Sequence, residues 1–317
     1  MKKILLFSIA IICLSFVLSK DTLTTDNYKI VSSKTSKEVT LNDIVLDMKN
    51  YDVVFFGEEH NDSVAHFLQN ELLKGLYAAY GENTTLTMEM FETDCQVVLD
   101  EYLQGHIRER NFLKEARTWS NYRNYKPMIE FAKEKKLSVI AGNAPARYAN
   151  MAARKGRNSL MDLSSAAKTF LPPLPYDTAS GTYYEKFTDL MSDGKNAGVT
   201  SKDTAKKAAP VSNNSMMPKY IVHSQSLWDA TMAYSISKVF TKNKNAKVIQ
   251  LNGRFHSDEG LGTVIQLKKY NPSLRILVIS CMSGGKNFPN KIDYNENKKL
   301  GDYVIYADPD VPKTYKE

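Results

Sequence analysis

Two short segments place a glycine three residues ahead of a histidine, each just after an apolar run. Val53-Val54-Phe55-Phe56 leads into Gly57-Glu58-Glu59-His60, and Val248-Ile249-Gln250-Leu251 leads, through Asn252, into Gly253-Arg254-Phe255-His256. Each reads as a strand, a turn glycine and a histidine delivered at the strand's carboxyl end. Ligands of open α/β sheets bind beyond those ends, so parallel strands would let segments far apart in sequence share one pocket. The chain has five histidines, so two in matched settings carry weight. Glu89 adds a carboxylate near the end of another apolar run, TLTMEMF, where it is costly to bury unless paired. Glu58, His60, Glu89 and His256 are the residue types that move protons to and from a water. His60, His256 and Glu89 are equally the ligand types of a divalent metal site. No HExxH pair, a far more specific metal signature, is present. The structural alternative makes Glu89 the ion-pair partner of Arg147 or Arg254.

Other polar residues carry weaker signals. His66 lies within the first long helix and His106 in a polar turn, both read as surface or packing positions. His223 opens a later helix, where it can line a pocket or simply cap the helix. Asp229 is expected on a solvated face, because Leu227, Ala230, Thr231 and Tyr234 share another side of that helix. Tyr148, Tyr176, Tyr183 and Tyr184 flank an irregular region. Tyrosinate is an accepted haem-iron ligand, and packing is the ordinary role of each tyrosine taken singly.

The elements that must position these groups alternate. Val53–Phe56 is apolar on both faces, as a buried parallel strand is. Asn61 or Asp62 caps a helix over Ser63–Tyr80, closed by Gly81. Strands follow at Thr85–Phe91 and Leu137–Ala141, with Pro127 opening a helix over Met128–Lys135. A helix over His223–Phe240 precedes strands at Lys247–Leu251, Arg275–Ser280 and Tyr303–Ala307. The rhythm predicts an α/β domain over 41–317, a mainly parallel central sheet flanked by helices. Leu171-Pro172-Pro173-Leu174-Pro175-Tyr176 interrupts it, and Ser192–Lys219, polar and poor in bulky apolar residues, reads as a flexible insert or lid. Residues 20–40 are expected to be a tether with one short strand at Tyr28–Val31, followed by a helix capped at Leu41 or Asn42.

The formal charge is +7, or +5 once Lys2 and Lys3 are set aside with a targeting segment. The lysines are scattered, which argues against nucleic-acid binding. Lys2-Lys3 followed by apolar Ile4–Val17 fits a secretory signal over 1–19, with Lys20 as the first mature residue. That places the protein in an exported, periplasmic or outer-membrane-associated setting. Ala10-Ile11-Ile12-Cys13 is a poor lipidation site, because Ile12 stands where a small residue is wanted. Cys95 and Cys281 are too few for a disulfide framework and sit in apolar surroundings.

Taken together, VVFFGEEHND, LTMEMFE, the stretch from Trp119 to Pro127, VIAGNAPAR, SLWDATMA and LNGRFHSDEGLG resemble the ChaN-like haem-binding proteins. The resemblance spans most of Asp52–Leu267. It implies an α/β sandwich that binds haem for iron uptake, working with outer-membrane uptake machinery, as a homodimer holding haem through a tyrosine. Tyr148, Tyr176, Tyr183, Tyr184 and His223 are the candidate haem contacts, with Met90, Phe91 and Trp228 covering the macrocycle. The paired GxxH motif is also similar to the wider TraB/TIKI/erythromycin-esterase-like superfamily, which includes hydrolases. That second resemblance implies site positions at Glu58, His60, Glu89 and His256.

Overall fold

The computed structural model describes residues 23–197, 218–290 and 292–315. The expected signal segment, and the insert from residue 198 to 217, lie outside these residues. Residues 192–197, expected in the insert, continue a helix.

The chain enters the sheet earlier than its polar composition suggested. Tyr28–Ser32 (β1) and Lys37–Val39 (β2) form an antiparallel pair, so the expected tether is sheet from Tyr28 on. Its polar character follows from its place at the sheet edge, where β2 stays largely exposed. Helix α1 (Leu41–Asp47) is capped by Thr40, one residue before the expected cap. The Thr40 Oγ1 accepts the Asp43 N–H, and the Asp43 carboxylate accepts the Thr40 N–H at 2.7 Å.

Strand β3 (Val53–Glu58) is buried throughout, and its alternation sorts two cores. Val54 and Phe56 join the core under α2 (Ser63–Tyr80), while Val53 and Phe55 face the opposite layer. Each such buried side chain contributes roughly 1.5–3 kcal/mol. Asp62 caps α2, accepting from the N–H groups of Val64 and Ala65, and Gly81 ends it at φ +56°. Strand β4 (Thr84–Glu92) follows, then α3 (Gln96–Leu103) and α4 (Glu109–Glu115). Helix α5 spans Tyr122–Lys135. It therefore begins well before Pro127, which lies inside the helix rather than opening it. Tyr122, Tyr125 and Met128 all bury against the first core, and that packing holds the helix through the proline.

Strand β5 (Ser138–Asn143) leads to α6 (Ala146–Lys155) and the short α7 (Ser165–Lys168). The proline-rich stretch after α7 is irregular, as expected. Helix α8 (Gly181–Ala197) and helix α9 (Ile221–Lys242) flank the residues not described. Strand β6 (Lys247–Gly253), α10 (Thr263–Tyr270), β7 (Ile276–Ser283) and β8 (Tyr303–Ala307) complete the chain.

The eight strands form one sheet in the order β2-β1-β8-β7-β3-β6-β4-β5. The six strands from β8 to β5 run parallel, and β1 is antiparallel to both its neighbours. Strand β6 lies between β3 and β4, with Glu58 in register with Gly253. The two GxxH loops therefore leave the same end of neighbouring strands, as the parallel arrangement requires. Among the described residues, no helix is long and apolar enough to cross a membrane.

Candidate functional site

Backbone contact sets the first constraint. A side chain at Gly57 would lie 2.8 Å from the Arg254 Cα, and one at Gly253 would lie 2.8 Å from the His60 Nε2. The glycines let the two loops touch. Gly57→Ala must move backbone, and is expected to cost about 1–3 kcal/mol in denaturant unfolding. Gly253→Ala meets only an imidazole that is 30% exposed, so its effect should fall on the His60 position. An unfolding midpoint for Gly57→Ala equal to the parent's would contradict the contact.

The first half of the site grows from β3. Glu58 shares a strand face with Phe56 and so points to the α2/α5 layer. It is buried, and its carboxylate accepts hydrogen bonds from Gln69 Nε2 at 2.6 Å and Tyr125 OH at 2.5 Å. His60 Nδ1 lies 2.8 Å away, and His66 Nε2 at 3.4 Å. Burial alone would raise the Glu58 carboxyl, but the imidazoles of His66 and His60 outweigh it and hold it well below the carboxylate range. His60 is desolvated too, yet Glu58 and Glu89 hold it up at about 9. Its ring stands edge-on to Trp119 at 5.0 Å, and Asn121 Nδ2 donates to its carbonyl at 3.1 Å.

The second half grows from β6 and α9. Ladder pairing between β4 and β6 stops at Met88–Leu251, and the next residue, Glu89, replaces it with a side chain. The Glu89 Oε2 accepts the Gly253 N–H at 2.7 Å, and its Oε1 lies 3.5 Å from the His256 Nε2. Asp229 takes the other face of that imidazole, with Oδ1 2.7 Å from Nδ1. Thr263 Oγ1 donates to the same Asp229 oxygen and Tyr183 OH to the other, at 2.9 and 2.7 Å. Gln225 sits beside both Tyr183 OH and His256 Nδ1. Burial opposes charge on His256, but Glu89 and Asp229 raise it to about 10. Burial likewise opposes charge on Glu89, and His256 and His60 bring it down to about 2.

Glu58, His60, Glu89 and His256 thus come together at one end of the sheet. The arrangement is a chain of alternating charge, Glu58–His60–Glu89–His256–Asp229. It places carboxylate bases beside imidazolium acids, which is the equipment for proton transfer. His60 is the exposed member, and Glu89, His256 and Asp229 are nearly sealed. Four further residues complete it unforeseen. Asp229 is 1% exposed rather than solvated. Gln69 and Tyr125 hold Glu58, and His66 is buried against it.

Several expectations need correction. Glu89 does not pair with Arg147 or Arg254, because Arg147 bonds Asp94 and Arg254 Nη2 reaches Asp258 at 2.9 Å. Among the described residues, no three His, Cys, Asp or Glu side chains are disposed to hold a metal ion. The metal reading of His60, His256 and Glu89 therefore has no support among the described residues. Met90 and Phe91 belong to the buried core and cannot cover a surface ligand.

The candidate haem contacts divide by accessibility. Tyr176 is buried and donates to the His223 carbonyl at 2.7 Å, and Tyr183 is buried in the Asp229 network. Burial pushes both phenols up, Tyr183 the more strongly because Asp229 lies beside it, and both hydroxyls are already committed to internal acceptors. His223 Nδ1 accepts the Arg157 N–H at 2.9 Å, so its proton sits on Nε2, the wrong tautomer for an iron ligand. Tyr148 lies under the Arg147 guanidinium, 4.3 Å from ring centroid to carbon. Tyr184 is 45% exposed on α8. It borders a groove of about 200 Å³ shared with Phe187, Met191, Lys219, Ile221 and Val222.

A single mainly parallel α/β sheet, with carboxylate–imidazole pairs at the carboxyl ends of adjacent strands, defines an α/β protein with one composite polar site. The sequence pattern of one family, described as haem-binding uptake, Tiki superfamily, ChaN, matches residues 44–267. The chain belongs to that family. Its fold is similar to a solved structure described as cofacial heme binding to ChaN of Campylobacter jejuni, at TM-score 0.63 and 16% identity, over 89% of this chain and 98% of that one. An erythromycin esterase mutant in its open conformation aligns at TM-score 0.45 and 12% identity, over 89% and 83% of the two chains. No curated protein sequence matches the chain.

Proposed function

We propose that this protein is an exported haem-binding protein of iron uptake, and that Tyr184 is its iron ligand. Family membership supports haem, and the Tyr184 hydroxyl, beside an apolar groove and with no partner among the described residues, carries the ligand choice. The lining of the groove suits the group, although its volume would hold only part of it. Phe187, Met191, Ile221 and Val222 offer apolar surface to a macrocycle, and Lys219 offers a cation to a propionate. Bound haem would supply an iron able to bind an anionic oxygen, which the Tyr184 phenolate would provide. The groove is open and small, so a haem on it keeps one face uncovered. A second copy of the chain is the natural cover, which makes the haem-loaded form a homodimer. Export rests on the sequence pattern of residues 1–19, and delivery to outer-membrane uptake machinery follows from it.

One observation favours a second reading. The His60–Glu89–His256 cluster has the proton-transfer equipment of a hydrolase, peptidase or esterase-like, and the haem groove makes no use of it. A haemin titration followed by absorbance separates the two, because a folded parent with no saturable Soret shift would favour the hydrolase. The parent, His60→Ala and His256→Ala should all show a saturable Soret shift with similar affinity. Loss of the shift in both histidine variants, with each still folded, would move the haem to the GxxH loops and end the Tyr184 assignment.

A further inference from the structure

A cleft of about 980 Å³ opens at the far end of the sheet from the GxxH loops, around the starts of β4 and β5. Its floor is Leu137–Ile140 of the edge strand β5, with Thr85 beside it. One wall is the end of α3 and the turn after it, including Gln104 and His106. The other wall is the last turns of α9.

Four lysines border this space at two helix ends, Lys133 in the last turn of α5 with Lys136 just after it, and Lys238 and Lys242 in α9. Two carboxylates, Glu82 and Asp100, face them, so the cleft is cationic. Among the described residues none of the four lysines makes an ion pair, and Lys133 and Lys238 rest over the rings of Tyr102 and Tyr234. Helix dipoles favour lysine at each helix end taken singly. They do not explain why two ends aim their lysines at one cleft. Lys238 and Lys242 are one turn apart, where like charges repel. Desolvation and Lys242 together lower the Lys238 ammonium, so the pair lacks a counter-charge.

The floor excludes one class of ligand. Gln96 already occupies the free edge of β5, donating to the Val139 carbonyl at 2.9 Å and accepting the Ala141 N–H at 2.8 Å. A peptide strand cannot add there without displacing it. What remains is a cavity of small-molecule size with cationic walls and a polar rim.

We propose that this cleft binds a multiply charged phosphate, either free or as the headgroup of a lipid, independently of the haem groove. The probe is inorganic tripolyphosphate, titrated calorimetrically into the protein. The test variant is Lys238→Gln/Lys242→Gln, and the control is Lys34→Gln/Lys37→Gln, which removes equal charge from the exposed hairpin between β1 and β2. The parent and control should bind alike, and the cleft variant should weaken by roughly ten-fold or more. A parallel flotation with phosphatidic acid vesicles, against phosphatidylcholine vesicles, assigns the source. Cleft-dependent flotation that tripolyphosphate competes away means a headgroup. Cleft-dependent tripolyphosphate binding without flotation means a free phosphate. No binding to either probe, or equal loss in the cleft and control variants, overturns the proposal. Thermal melts of both variants verify folding.

Discussion

Tyr184→Phe is expected to remove the iron–phenolate charge-transfer absorbance and to weaken haemin by about 2–3 kcal/mol, roughly 30- to 150-fold in Kd. Access distinguishes the tyrosines. Tyr176 and Tyr183 commit their hydroxyls to internal acceptors, and withdrawing either phenol would strand a buried partner. Tyr184 stands 45% exposed, so its hydroxyl can turn to a ligand at no internal cost. Tyr148→Phe should leave both the spectrum and the affinity near the parent's. If Tyr148→Phe loses the band and Tyr184→Phe keeps it, the groove on α8 is not the haem site. Removing the Tyr184 ring altogether, as Ala, should cost more than removing its oxygen, because the ring borders the apolar groove.

The second large effect concerns stability. Asp229→Ala leaves the His256 imidazolium buried with one carboxylate fewer, and breaking a buried pair in this way costs about 3–5 kcal/mol. Chemical denaturation at neutral pH reads it directly. A loss below about 1 kcal/mol would place Asp229 among ordinary surface aspartates. The same network fixes the pH profile of the parent. His256 holds its proton to about 10 when folded and to 6.5 otherwise, so its contribution is complete below pH 6.5 and fades as pH rises towards 10. Glu89 is lowered from 4.5 to about 2, so its contribution is complete above pH 4.5 and fades as pH falls towards 2. Both act through one interaction and are counted once. Stability should therefore be flat between about pH 4.5 and 6.5 and decline on either side. Asp229→Ala should move the alkaline decline to lower pH. An alkaline limb identical in the parent and the variant would mean that Asp229 does not support the charged imidazole.

Much of this arrangement was legible because the signals are local. Val53–Phe56 and Val248–Leu251 are strands on their own evidence, and the glycine and histidine after each fix where the loops begin. Glu89 stood out as a charge within an apolar run. Asp229 did not, because α9 is buried on nearly every side between Ser224 and Ala233. A helix without a wet face gives amphipathic periodicity nothing to sort, so an aspartate in it looks solvated by default. Tyr125 was missed for a related reason. Pro127 read as a helix start cut the first turns from α5, and with them the residue that holds Glu58. The hairpin of β1 and β2 reads as a tether because an edge strand needs few apolar residues, and its partner β8 lies at the opposite end of the chain.

Strand β6 does more than bring two loops together. Among the described residues it is the only ladder between the block β8-β7-β3 and the block β4-β5. A partly unfolded chain with β6 detached would present open strand edges on β3 and β4, each flanked by buried apolar residues. Such edges are templates for pairing with other chains. The late strand is thus a keystone for solubility, because both edges stay open until residues 247–253 are in place.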